Sequence, residues 1–229
     1  MNTDVKKRRG VFICFTGIDG SGKTTLAKSL VDTMEQKGVE AKYVYNRYTP
    51  VILRPLMLVG RWLFLRGKDI FENYEDYADA KKSASKKHPF WATLYQRILL
   101  FDYFFQILFK IKLPLLFGKT IVCDRYIYDT AITDLSVDMN YSKDKAVNLL
   151  NNLLHFFPEP DITFLIDVSE DIAYQRKDDT PSIEYLKERR KMYLDVGKAY
   201  KMVIFDGSKS LEDLKNLIQK EVFGKVKNE

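Results

Sequence analysis

Gly17-Ile18-Asp19-Gly20-Ser21-Gly22-Lys23-Thr24-Thr25 sets three glycines, an ammonium and several hydroxyls at the spacing G-x-x-x-x-G-K-[ST]. That pattern suits a polyphosphate. Glycine permits positive φ and close backbone approach, so several N–H groups can converge on anionic oxygens. Lys23 is expected to reach the outer phosphates, and the Thr24 hydroxyl to sit on Mg2+. Gly17, Asp19, Gly20, Ser21, Gly22 and Thr25 complete the nucleotide-binding stretch, and a nucleoside triphosphate is the ligand it predicts.

A second group is Asp124-Arg125-Tyr126, after the apolar run Thr120-Ile121-Val122-Cys123. A carboxylate at a strand end can hold magnesium through water, and an arginine beside it can meet a phosphate. The predicted metal-site residues are therefore Thr24 and Asp124, and Arg125 is the predicted cation of the acceptor side.

These groups need a frame that turns them toward one point. Val11–Thr16 reads as a buried strand leading into the glycine loop, and Leu26–Val31 follows at helical spacing, which aims a helix N-terminus at the ligand. Further strands are expected at 41–45, at 120–123 ending at Asp124, at 162–167 and at 202–205. Helical patterns lie near 90–113, 143–156, 170–200 (interrupted) and 211–222. Gly38 reads as a helix stop, and Ser210 with Asp213 as a cap for the last helix. Alternating strands and helices predict an α/β fold, a parallel sheet covered on both faces, with ligands beyond the carboxyl ends of its strands.

The chain has 229 residues and is read as one domain, 1–229, with a divergent insertion at 48–90. Within the insertion, 51–65 reads as an apolar helix that packs on the core or touches a membrane surface, followed by a polar stretch rich in lysine and alanine. Net charge is 37 − 31 = +6, spread along the chain. That suits anionic ligands and carries no nucleic-acid-binding signature. Cys14 and Cys123, the only cysteines, fall in predicted buried strands, which points to a reducing, cytoplasmic setting without a disulfide framework. Lys6-Lys7-Arg8-Arg9 imitates the start of a signal peptide, but the apolar run behind it is short and flows into the phosphate loop. The apolar pattern at 98–117 contains Asp102, Gln106, Lys110 and Lys112, so no stable membrane insertion is expected.

The phosphate loop, Asp124-Arg125-Tyr126, Pro160-Asp161 with Leu165-Ile166-Asp167-Val168, and the stretch Ala173–Tyr193 follow one another in an order and spacing that resembles the thymidylate kinase family of nucleoside monophosphate kinases. The resemblance covers roughly 10–48 and 118–222. It implies a three-layer P-loop kinase fold with a five-stranded parallel sheet, ATP and Mg2+ as the donor complex, a lid segment at 176–186, and a homodimer. It also implies transfer of the γ-phosphoryl of ATP to a deoxynucleotide monophosphate, dTMP first among them. Arg125 matches the family arginine that holds the acceptor phosphate, and Asp19 a carboxylate near the acceptor sugar and the metal. Arg47 stands where the family carries an arginine before Glu-Pro-Gly, although here the segment reads Asn46-Arg47-Tyr48-Thr49-Pro50. Arg176 and Arg189 are the candidate lid cations. A cation delivered by a closing loop stabilises the transition state more than ground-state ATP.

The acceptor region departs from the family pattern. Arg97 and Phe101, with Phe104 and Phe105, are candidates for base binding. Asp129 is an added carboxylate that would repel an acceptor phosphate unless it binds metal or a sugar hydroxyl. Three readings follow: a nucleoside monophosphate kinase, a P-loop kinase acting on a nucleoside, sugar or lipid-linked alcohol, and a nucleotide-binding regulator without turnover.

Overall fold

The computed structural model describes residues 10–49, 83, 87, 89–137, 141–177 and 179–226. Most of the insertion expected at 48–90, including the helix at 51–65, lies outside the described residues, as do Lys6–Arg9 and Asp178 of the lid.

Five parallel strands form one sheet: β1 (Phe12–Thr16), β2 (Ala41–Tyr45), β3 (Thr120–Asp124), β4 (Ile162–Asp167) and β5 (Val203–Asp206). Their spatial order is β2-β3-β1-β4-β5, so β1 lies at the centre and the chain crosses over it once, between β3 and β4. The register sets Phe15 of β1 beside Asp124 of β3 on one side and Phe164 of β4 on the other. The phosphate loop and the Asp124 tip therefore leave the sheet as neighbours.

Alternation along β1 divides the core. Ile13 and Phe15 face helix α1 (Lys23–Gln36) and the last helix, where Leu26, Leu30, Leu214, Ile218 and Val222 pack. Phe12 and Cys14 face the opposite layer, built from Tyr103, Ile107, Tyr126, Leu150, Leu186 and Tyr193. Those residues come from α2 (Pro89–Ile107), the segment after β3, α5 (Lys143–Leu154) and α7 (Ile183–Ala199). The apolar runs of β1 and β3, buried at every position, follow from cover on both faces.

α2 continues through a π-helical stretch, Leu108–Lys112, into a short α3 (Leu113–Leu116) before β3. After β3 comes a single turn, α4 (Ile127–Asp129), then a second π-helical stretch, Thr130–Val137. Neither has a clear 3.6-residue apolar period, because nearly every side chain between Ile127 and Val137 is buried. The interrupted 170–200 pattern resolves into α6 (Glu170–Gln175) and α7, with the lid segment between them. The last helix, α8 (Leu211–Val226), begins with the expected cap: Ser210 Oγ accepts from the Asp213 N–H at 3.1 Å. Gly38, at φ 76°, ends α1. Among the described residues, no helix is long and apolar enough to cross a membrane.

Candidate functional site

The phosphate loop runs from the tip of β1 to the start of α1, whose first turn carries no acidic side chain. The positive helix end is thus left for an anion. Gly22 occupies the N-cap at φ 92° and ψ 7°, and a Cβ there would meet only open space. That opening is where a ligand has room. Gly20, at φ 80°, faces the other way: a Cβ would collide with the Ala173 carbonyl of α6. Only glycine lets α6 come this close, and α6 brings Arg176 and Lys177 to the loop. Lys23 Nζ donates to the Ile18 carbonyl at 2.5 Å and to Ser21 Oγ at 3.2 Å. Burial, then the Arg125 charge, brings the Lys23 ammonium down to about 7.

Asp124, wholly buried, ends β3 beside the loop. Its Oδ2 accepts from Thr24 Oγ1 at 2.5 Å and from the Tyr43 hydroxyl at 2.9 Å. Its Oδ1 has no hydrogen-bond partner among the described residues. A buried carboxylate oxygen left bare is costly unless a cation or water meets it. Thr24 and Asp124 therefore fit a hard divalent ion. No group of three or more His, Cys, Asp or Glu side chains that could hold a metal occurs among the described residues. Magnesium is commonly held by one or two protein groups, substrate phosphates and water.

Arg125 follows at φ 69°, a left-handed conformation that costs free energy in a non-glycine residue. Its N–H donates to the Phe15 carbonyl at 2.9 Å, which fixes the bend to the end of β1. The guanidinium is bonded to Asp19 Oδ1 and lies 3.4 Å from Asp129 Oδ1. Burial alone would raise the Asp19 pKa, but Arg125, Lys23, Lys177 and Arg47 together hold it well below the usual carboxylate range. The predicted Asp19, Arg47 and Arg125 thus act on one another electrostatically.

Asp129 departs from its expected place as a substrate contact. It is 2% exposed, and protein donors already occupy both oxygens. Oδ2 accepts from Thr16 Oγ1 at 2.9 Å and the Tyr126 N–H at 3.0 Å; Oδ1 accepts from the Tyr193 hydroxyl at 2.8 Å as well as from Arg125. Its charge is directed at Arg125, so the expected repulsion of an acceptor phosphate is met inside the protein. Burial outweighs these contacts and raises its pKa.

The lid cations are also redistributed. Arg189, 4% exposed, stacks its guanidinium 3.6 Å over the Tyr185 ring and donates to the Tyr185 carbonyl at 3.3 Å. Both of these contacts lie within α7, its own helix. Arg176 donates to the Gly207 carbonyl at 3.0 Å, beside the turn after β5. Lys177, which sequence reasoning passed over, puts Nζ 3.4 Å from Asp19 Oδ1 and 2.9 Å from Asp179 Oδ1. Arg190 forks onto Asp167 at 2.7 and 3.0 Å and reaches Glu170 at 2.7 Å, tying α7 to the tip of β4. Its only sequence signal was a carboxylate at the end of a strand that needs a partner.

Arg97 is exposed, and Phe101, 57% exposed, makes an edge contact with Phe105. Neither is drawn into the cluster around Asp19. The exit of β2 is instead stitched to α2 by polar side chains. Asn46 Nδ2 donates to the Tyr103 hydroxyl at 2.8 Å, which donates back to the Asn46 carbonyl at 2.9 Å. Gln106 Nε2 donates to the Thr49 carbonyl at 2.7 Å. Arg47 lies between these two tethers.

Residues 98–218 match the family model for thymidylate kinase. The chain is 28% identical over 222 residues to the thymidylate kinase of Plasmodium falciparum, covering 94% of this chain and 91% of that protein. It is 30% identical over 194 residues to the thymidylate kinase of Leptospira borgpetersenii, with 82% and 80% covered. A probable thymidylate kinase of Sulfurisphaera tokodaii is 27% identical over 209 residues, with 89% and 90% covered. The phosphate loop, the Asp124-Arg125 tip and the basic lid stand together in a five-stranded parallel sheet of this order, and the chain belongs to the thymidylate kinase family.

Proposed function

We propose that this chain transfers the γ-phosphoryl group of ATP to dTMP, giving ADP and dTDP. A phosphate oxygen of dTMP attacks the γ-phosphorus while the bond to the β,γ-bridging oxygen breaks and ADP leaves. Such a transfer asks the protein mainly for alignment and charge neutralisation. The observation that carries the reading is the meeting of Lys23, Arg125 and Lys177 around Asp19, beside the bare Asp124 oxygen.

In this reading the loop amides and Lys23 hold the outer phosphates of ATP, with Ser21 and Thr25 in the same stretch. Thr24 and Asp124 would hold magnesium, which when bound would supply neutralisation of phosphoryl charge. Arg125 and Arg47 take the dTMP phosphate, and Asp19 keeps both cations turned to the opening until it arrives. Lys177 approaches the transferred group from the lid, and Arg176 lies against the nucleotide side near Gly207. Phe101 and Arg97 stand at the outer rim of the acceptor side.

The finer expectations are proposals of the same kind. One kinase domain spans the chain, working in the reducing cytoplasm, where the free, buried Cys14 and Cys123 would stay as thiols. Two copies pair, and the exposed Phe109, Leu116 and Phe117, between the end of α2 and the start of β3, supply apolar surface for that contact.

The deciding experiment incubates the purified chain with γ-labelled ATP and Mg2+ against dTMP, other monophosphates, nucleosides and polyprenols. Labelled dTDP is the expected product. Transfer only to an unphosphorylated alcohol would overturn the acceptor, and ATP binding without transfer would overturn the enzyme. Sedimentation of the same preparation as a monomer at micromolar concentration would remove the paired form.

A further inference from the structure

Asp124 receives two hydroxyl donors, and both bond the same oxygen. Thr24 Oγ1 lies 2.5 Å and Tyr43 Oη 2.9 Å from Oδ2, while Oδ1 is buried with no partner among the described residues. The two donors come from different places. Thr24 stands in the first turn of α1 next to Lys23, as the phosphate-loop pattern requires. Tyr43 stands in the middle of β2, 81 residues away in sequence and outside every motif recognised in the chain.

The register explains how it arrives. β2 pairs with β3 so that Tyr43 lies opposite Val122 and Tyr45 opposite Asp124. Val122 and Asp124 are two apart in β3, so they project to one face of the sheet, and Tyr43 projects to that face with them. One step of diagonal reach brings the phenol oxygen to the carboxylate. Tyr43 also packs against the core layer under α1, and the Lys28 ammonium sits 5.5 Å from its ring. The core contact and the place of Tyr43 in β2 direct its hydroxyl to Asp124.

We propose that Tyr43 is a positioning residue of the magnesium site: its hydroxyl engages Asp124 Oδ2 and so keeps Oδ1 turned out and bare for the cation. A half-turn would only exchange two equivalent oxygens, but with one donor alone the carboxylate could stop part-way, with neither oxygen turned out. Two donors on one oxygen, one from α1 and one from β2, hold it against that partial turn. Partners that orient a metal-holding carboxylate typically matter by 10–100-fold in metal affinity.

This inference rests on the magnesium–ATP reading of the loop, and its test separates the two. Mn2+ is titrated by electron paramagnetic resonance into wild type, Tyr43→Phe and Tyr45→Phe, each with a non-hydrolysable ATP analogue, and analogue binding is also measured in EDTA. Tyr43→Phe keeps the packed ring and removes only the donor. The expected result is Mn2+ affinity about tenfold weaker in Tyr43→Phe, metal-free analogue binding unchanged, and Tyr45→Phe like wild type. Initial rates should show the matching rise in Mg2+ requirement, with kcat restored at high Mg2+. Unchanged Mn2+ affinity in Tyr43→Phe would overturn the proposal. So would a parallel loss of metal-free binding, which would make Tyr43 a packing residue, or an equal loss in Tyr45→Phe. A wild-type protein that takes no metal with the analogue would remove the parent reading, and this one with it.

Discussion

The phosphate loop and the acceptor edge meet at Asp19 and are held by different means. The loop is shaped locally: Gly20 admits α6, the Ser21 N–H donates to the Ile18 carbonyl at 3.3 Å, and α1 begins at once. The acceptor edge is shaped by side chains from distant segments. Arg125 is steadied by Asp129, which draws on Thr16 from β1 and Tyr193 from α7, while Asn46 and Thr49 are tied to Tyr103 and Gln106. The donor side is thus a backbone device and the acceptor side a side-chain network. The first tolerates loss of one functional group without losing its form; the second does not.

Lys23→Ala gives the largest effect and tests the donor half of that contrast. Removing one preorganised charge from a phosphoryl-transfer site costs on the order of 10^3-fold in kcat/KM. The loop should keep its form, because glycine geometry and the α1 N-terminus carry it. Rates of dTDP formation and a thermal melt report the two halves. A melt that falls as steeply as the rate would break the contrast, by showing that the Lys23 bond to the Ile18 carbonyl holds the loop together.

Asp129→Asn tests the other half. An amide keeps the volume and one acceptor oxygen, but it turns an NH2 toward one pair of donors, Arg125 with Tyr193 or Thr16 with the Tyr126 N–H, and it removes the charge. Arg125, in a strained left-handed bend, loses the charge of one of its two carboxylate partners, and misplacement of a positioning group by about 1 Å costs roughly 10^2-fold. The KM for dTMP should rise and kcat fall, while ATP affinity stays near wild type and the melting temperature drops. Equal losses for ATP and dTMP would show that the two edges are one network.

The same contrast explains what the sequence disclosed. All five strands, α1, the Gly38 stop, the Ser210 cap and the interrupted 170–200 pattern were legible, because each is written in neighbouring residues. Arg125 could be named, yet its left-handed backbone and its bond to Asp19 follow from strand pairing, which no window of sequence displays. Asp129 was misplaced because its four donors come from β1, α4, α7 and Arg125, and a one-dimensional reading sees only an unexpected charge beside an acceptor. Lys177 and Arg176 are adjacent and chemically alike, and the close packing of α6 on Gly20 gives each its direction. Tyr43 carried no signal beyond the pleat of an edge strand.

Asp19 joins the two regions, and its titration gives the smallest effect. Its carboxylate is bonded to Arg125 and lies 3.4 Å from Lys177. Although burial opposes the charge, those cations hold its pKa well below the ordinary value in the folded chain. A carboxylate depressed on folding contributes stability that is fully present above its unfolded pKa, about 3.9, and is lost as pH falls through the folded one. Wild type should therefore exceed Asp19→Asn by roughly 2 kcal/mol near neutral pH, the scale of one ion-paired aspartate. The gap should close steadily below about pH 4, where the unfolded chain takes up the proton that the native state refuses. Urea unfolding of both proteins between acid and neutral pH reads it directly. A gap that stayed constant into the acid range would mean that Asp19 is not bonded to Arg125 in the ligand-free protein, and the two edges would then meet only when substrates bring them together.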